Sequence, residues 1–366
     1  MRGSKVRRAA HWLADRPRVI LAALAVNVVA LLAMLCFWIP TPYQLLMPGP
    51  VTDTNTLIDP PPQETEGAFY LTSIYSNPAS VAEWLYGQAD PEAGIIPREQ
   101  ARPQHLSRKE YRQLLDTMMD SSKMAARVVA FRAAGLEVGV DGQGALIRDV
   151  RADSPAQGIL AVNDVVVVAG GRPVRTKDDL IAVIRAHRPG DRLPLEVRRD
   201  DTTLSLTTTL AESPEARGRA LMGVVVVTYQ VKYNFPQELK IQSEDLGGPS
   251  AGLMFALALY NTLTPGDLTG GHRIAGTGAL ATDGRVRGVG GIPYKVRAAE
   301  KAGAAYFLVP ADNADEARRV ARTVQIVPVG SFAEALPFIK QLPPAGTETL
   351  AAQQLSAPDG ATPTPA

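Results

Sequence analysis

Hydrophobic and polar positions follow distinct rhythms along this chain. From Val19 to Ile39 no residue is charged and Asn27 is the lone polar side chain. A helix of that length reaches across the ~30 Å hydrocarbon layer of a bilayer, so a transmembrane helix is expected over 19–39. Residues 40–66 carry Pro40, Pro42, Pro48, Pro50, Pro60, Pro61 and Pro62, which predicts an extended stalk or irregular edge strands. Phe69 to Tyr75 alternates as a strand does. Residues 107–134 space their apolar positions as a helix and end at Gly135. The Met118-Met119 pair within them reads most simply as core, although an exposed methionine face could hold unfolded substrate. From Gly135 to Leu210 short apolar runs, glycine turns and one helical stretch follow. Leu253 to Tyr260 is apolar throughout and reads as a buried helix. Residues 343–366 are low in complexity, and disorder is expected there.

The 366 residues are 46% hydrophobic and 20% charged, with a net charge of +1. That composition supports two to three domains with real cores and gives no electrostatic case for nucleic acid. The charge is unevenly placed. Arg2, Lys5, Arg7, Arg8, Arg16 and Arg18 precede the apolar stretch, and no Lys or Arg occurs between Pro40 and Pro97. The positive-inside rule then puts residues 1–18 in the cytoplasm and everything from Pro40 outside, with Phe37, Trp38 and Tyr43 suited to the outer interface. A cleaved signal peptide is the alternative, but the apolar run is long for one and no small-x-small site follows. Cys36 is the single cysteine, which excludes an internal disulfide and a structural zinc cluster. His11, His105, His187 and His272 are scattered without metal-ligand spacing, and neither metal nor cofactor is expected.

The candidate chemistry lies in Gly247-Gly248-Pro249-Ser250-Ala251-Gly252. Gly247 and Gly248 permit a tight turn and Pro249 is pre-set for a first helical position, so Ser250 is expected at a helix N-terminus. There, unpaired N–H groups and the dipole favour an oxyanion. Lys295, in Gly290-Gly291-Ile292-Pro293-Tyr294-Lys295, can act as the base of that serine only if burial keeps its amine neutral. Taken alone, Ser250 could be a simple N-cap and Lys295 a solvated helix residue. A Ser/His/Asp arrangement using His272 lacks a surrounding signature.

The stretch from Leu221 to Leu342 resembles the proteolytic domain of Lon-type serine peptidases. The resemblance rests on Gly248 to Gly252, on Thr277-Gly278, and on Gly290 to Lys295, in that order. It implies a Ser250/Lys295 dyad, with Gly248, Ala251 and Thr277 in oxyanion or positioning roles and Thr277 orienting the Lys295 amine. The acidic residue such enzymes often carry just before Gly-Pro-Ser is replaced by Gly247, with Asp245 two positions earlier. The phosphate loop of their ATPase, G-x-x-x-x-G-K-[ST], does not occur in these residues.

Residues 135–212 resemble a PDZ domain of the bacterial protease type, through Ala145 to Val150, Ser154-Pro155-Ala156 and Asp164 to Val174. Asp178 to Ile184 resembles its groove helix and Leu193 to Arg199 its closing strand. The resemblance implies that Leu136 to Val140, with Val138, Gly139 and Val140 at its centre, holds a peptide carboxylate by backbone N–H groups. The expected protein is of the α+β class, with one N-terminal transmembrane helix, a PDZ-like β module over 135–212 and a Lon-type α+β proteolytic domain over 221–342. Its expected partners are polypeptides, a bilayer and further copies of itself. The rival from another class is a non-catalytic PDZ adaptor.

Overall fold

The computed structural model describes residues 17–62, 65–103, 106–200, 202–214, 216–243 and 246–346. His11, the basic residues from Arg2 to Arg16, His105, Asp245 and the tail from residue 347 lie outside that set. The chain forms two compact units: Gly135–Glu238 is one, and the residues up to Ala134 together with those from Leu239 on are the other.

The first helix, α1 (Pro17–Cys36), stops three residues before Ile39, where the N–H groups of Trp38 and Ile39 both close on the Leu35 carbonyl. Among the described residues no helix is long and apolar enough to cross a membrane.

Of the stalk and the irregular strands expected over residues 40–66, the structure has an irregular strand over Pro40–Asp53. Strand β1 (Pro40–Asp53) pairs antiparallel with β2 (Ala68–Ser80) along its length and with β3 (Gly94–Pro97) over Tyr43 to Leu46. A short helix, α2 (Val81–Ala89), joins β2 to β3 and opens on a Ser80/Glu83 capping box. The prolines are tolerated because of where they fall. The β1–β2 register shifts between Pro40 and Gln44 and again between Pro48 and Val51, and beyond Leu46 β1 has no partner on the β3 side, so missing N–H donors break few ladder bonds. Helix α3 (Arg108–Ala133) follows, opened by a Ser107/Glu110 capping box. Its buried face includes Met119, Ser122, Ala126 and Ala130. The methionine pair divides: Met119 is core and Met118 is 38% exposed.

The second unit holds β4 (Gly139–Asp141), β5 (Ala145–Val150), β6 (Val165–Ala169), α4 (Lys177–Arg185), β7 (Arg192–Arg199), β8 (Thr202–Thr209), β9 (Val224–Thr228) and β10 (Lys232–Asn234). The main sheet runs β8-β7-β6-β5-β9. Ile147, Val166, Leu180, Leu193, Val197 and Met222 fill its core. The groove helix and closing strand fall where the sequence places them, but the unit reaches Glu238, beyond residue 212, because β9 and β10 pair with β5 and β4.

The first unit resumes with α5 (Gly252–Leu263), β11 (Arg273–Gly276), α6 (Ile292–Lys301), β12 (Tyr306–Pro310), α7 (Ala314–Val320), β13 (Gln325–Val329) and α8 (Phe332–Lys340). The resulting six-stranded sheet is ordered β13-β12-β11-β2-β1-β3. β11 runs parallel to both β2 and β12, so half of the sheet comes from before the PDZ-like unit and half from after it. Helix α5 is buried from Gly252 to Asn261, packed between α3 and the sheet. Pro343 and Ala345, expected in a disordered tail, are held by His272 Nε2 and the Gly270 carbonyl.

Candidate active site

Ser250 lies in the turn that leads into α5. The helix begins at Gly252, with Ala251 as its N-cap and no side-chain capping bond, so the Ser250 hydroxyl is not spent as a cap. Gly248 has a φ of +86°, a conformation that side chains other than glycine's resist. The turn is held from two sides. From α3, the Leu115 carbonyl accepts the Gly248 N–H at 2.9 Å and the Ser122 hydroxyl donates to the Pro249 carbonyl at 3.0 Å. From the strand end after β11, the Ser250 carbonyl accepts from the Gly278 N–H at 2.7 Å and from Thr277 Oγ1 at 3.1 Å.

Lys295 arrives on α6. Gly291 caps that helix at a φ of +75° and Pro293 occupies its first turn. The buried stripe is Ile292, Lys295, Val296, Ala299, with Ile292 and Val296 packed against Ala275, Phe307 and Val309. Lys295 thus stands where the helical period calls for an apolar residue, and it is 3% exposed. Its Nζ donates to Thr277 Oγ1 at 2.9 Å, and no ion pair involving it occurs among the described residues. Burial lowers its pKa to about 8, because removing an ammonium from water disfavours the charged form. Thr277, fully buried, spends its one proton on the Ser250 carbonyl and therefore accepts from the lysine. Two hydrogen bonds join amine to nucleophile turn.

Of Gly248, Ala251 and Thr277, expected in oxyanion or positioning roles, Gly248 and Thr277 have committed N–H groups. The Gly248 N–H is committed to Leu115, and the N–H groups of Gly252 and Leu253 go to the carbonyls of Pro249 and Gly278. The N–H groups of Ser250 and Ala251 enter no described hydrogen bond. His272 stands apart from this chemistry, with Nε2 at 2.7 Å from the Pro343 carbonyl and its ring edge-on to Tyr306. Leu115 and Ser122 were missed in the sequence. A polar residue within the buried stripe of an amphipathic helix is the one local signal that Ser122 gives.

In the second unit the expected carboxylate loop is otherwise engaged. Val138 is buried and Gly139–Asp141 is ladder-paired with Lys232–Asn234, so these backbone groups form a strand, not an open loop. The edge that ends the main sheet and packs against α4 is β9, with Val225 and Val227 exposed.

Comparison with known proteins finds two matched regions. Residues 124–210 match the PDZ domain family and residues 243–336 match the Lon protease (S16) C-terminal proteolytic domain. The chain is 30% identical over 125 residues to Lon protease 2 of Bacillus subtilis, covering 34% of this chain and 21% of that protein. It is 36% identical over 118 residues to Lon protease of Roseiflexus castenholzii, covering 31% and 14%. The chain therefore spans about a fifth or less of the length of these relatives. Among solved structures, the PDZ domain of an SdrC-like protein of Listeria monocytogenes is 20% identical over 23% of this chain and 88% of that one, with a TM-score of 0.22. The match to the S16 proteolytic domain spans both Ser250 and Lys295 and supports a serine peptidase.

Proposed function

We propose that this chain is a membrane-anchored, extracytoplasmic serine endopeptidase that cuts unstructured polypeptide without ATP. Ser250 attacks the scissile carbonyl, Lys295 takes its proton and returns it to the leaving amine, and the N–H groups of Ser250 and Ala251 receive the oxyanion. One observation carries the assignment: a lysine amine buried among apolar side chains, with a pKa near 8 and a threonine bridge to the Ser250 turn. A neutral amine offers a lone pair, and at a pKa of about 8 roughly one molecule in ten carries it at pH 7. Cavities of about 490 and 540 Å³ open against Arg127 and against Arg273, and neither is lined by Ser250 or Lys295. No phosphate loop occurs in these residues, so this chain supplies no motor against the ~5 to 15 kcal/mol stability of a folded substrate.

For the PDZ-like unit, the proposed peptide edge is β9 beside α4, by strand addition. The anchor and its orientation rest on the uncharged stretch from Val19 to Ile39 and the basic residues before it.

A fluorophosphonate probe should label Ser250 in the full chain at a rate that climbs with pH and levels above about pH 8. The climb reflects loss of the Lys295 proton, which frees the base. Ser250→Ala should be unlabelled. Labelling elsewhere, or a rate flat from pH 6 to 9, would sink the dyad. For the topology, protease added outside spheroplasts should degrade the chain beyond Pro40 and spare an epitope fused at Met1. Digestion of that epitope, or protection of the rest, overturns the orientation.

A further inference from the structure

Three hydroxyls on α3 lie within six residues of one another, and two do what helix-interior hydroxyls ordinarily do. Thr117 donates to the Gln113 carbonyl and Ser121 to the Thr117 carbonyl, each one turn back on its own helix. Ser122, 3% exposed, does not. It reaches off the helix to the Pro249 carbonyl. The fit there is tight, since a Cβ at Gly252 would lie 2.7 Å from the Ser122 hydroxyl.

The consequence follows from peptide geometry. In a planar trans peptide the C=O and the next N–H point in opposite directions. Holding the Pro249 carbonyl toward α3 turns the Ser250 N–H away from α3. By the same rule, Thr277 and Gly278, which hold the Ser250 carbonyl, turn the Ala251 N–H away from themselves. Two successive peptide planes are fixed by their carbonyls, and their two N–H groups are the ones left without a described partner.

We propose that Ser122 is a positioning residue that sets the oxyanion donor of Ser250 by fixing the Pro249–Ser250 peptide plane. This deepens the reading of Ser250 as nucleophile and rests on it. Donors to an oxyanion matter in the transition state and little in substrate binding. Without the Ser122 hydroxyl the Pro249 carbonyl keeps only the long 3.5 Å bond from the Gly252 N–H, the plane can rock, and the donor is lost part of the time.

The test uses the full chain with Ser122→Ala, Ser122→Cys and Ser250→Ala, an internally quenched peptide, and a peptide boronate as transition-state mimic. Both Ser122 variants should lose about tenfold in kcat, the cost of one hydrogen bond, with KM within about twofold. Boronate affinity should fall by the same factor as kcat, and the pH limb near 8 should stay in place, since Lys295 remains buried. Cysteine keeps the volume but is a weak donor, so it separates donation from packing. The proposal is overturned by wild-type kcat in both variants, by a loss in Ser122→Ala that Ser122→Cys restores, or by a loss in kcat that boronate binding does not share. Activity surviving in Ser250→Ala would instead remove the nucleophile reading itself.

Discussion

Lys295→Met is expected to abolish peptide hydrolysis and, at pH 7, to make the protein more stable by up to ~3 kcal/mol. The gain comes from the proton equilibrium. In the unfolded chain this lysine titrates near 10.5, whereas burial brings it to about 8 in the folded one, and each unit of difference corresponds to about 1.4 kcal/mol. Below pH 8 both states hold the proton and the full cost of burying an ammonium is present. Between about pH 8 and 10.5 only the unfolded chain binds the proton, so wild-type stability climbs with pH. Above that window the cost is gone. Methionine fills a similar volume without a charge, and Thr277 keeps its bond to the Ser250 carbonyl. Urea unfolding of both proteins at pH 7 and pH 10 measures this directly, and the gap between them should shrink at the higher pH. A variant no more stable at pH 7 would show that the amine is not held at a desolvation cost. Residual hydrolysis would end its assignment as the base. Enzymes that tune a base by burial carry this kind of penalty.

The second large effect concerns where the catalytic unit begins. A chain of residues 221–342 alone, the whole span of the sequence resemblance, is expected not to fold. It contains Ser250, Thr277 and Lys295, but it lacks β1, β2 and β3, which are three of the six strands of its sheet, and it lacks α3. Removing β2 leaves one edge of β11 without its parallel partner and strips the packing of Phe69 and Leu71, which are 0% and 2% exposed. Removing α3 uncovers α5, a helix buried from Gly252 to Asn261. Losing these contacts costs far more than the 5–15 kcal/mol by which domains are stable. Far-UV circular dichroism and proton NMR dispersion of that fragment provide the check. A cooperatively melting 221–342 fragment would refute the account of the sheet.

The sequence by itself determined the features that depend on local backbone demands. Gly248 and Gly291 both take positive φ, and each stands in a motif that was legible because only glycine is comfortable there. Lys295 could be named beforehand from the element Gly290 to Lys295, Thr277 and the PDZ-like elements through the family resemblances, and the helix over 107–134 from its apolar spacing and the Gly135 that ends it. What only the tertiary structure decided are the pairings across long separations. Thr72 bonds to the Gly276 carbonyl 204 positions away, and nothing in the alternation of Phe69 to Tyr75 says which strand lies beside it. The prolines of β1 left a stalk and an irregular strand both open, because the loss of an N–H is visible in sequence while the register shifts that make it harmless are not. Gly139 and Val140 read as part of an open loop because their partners, Asn234 and Tyr233, lie some ninety residues on. Ser122 and Leu115 escaped for the same reason. Their roles are set by a carbonyl and an N–H of a distant turn, and every residue carries those backbone groups, so Leu115 has no distinguishing mark in the sequence and Ser122 only its place as a polar residue in a buried stripe.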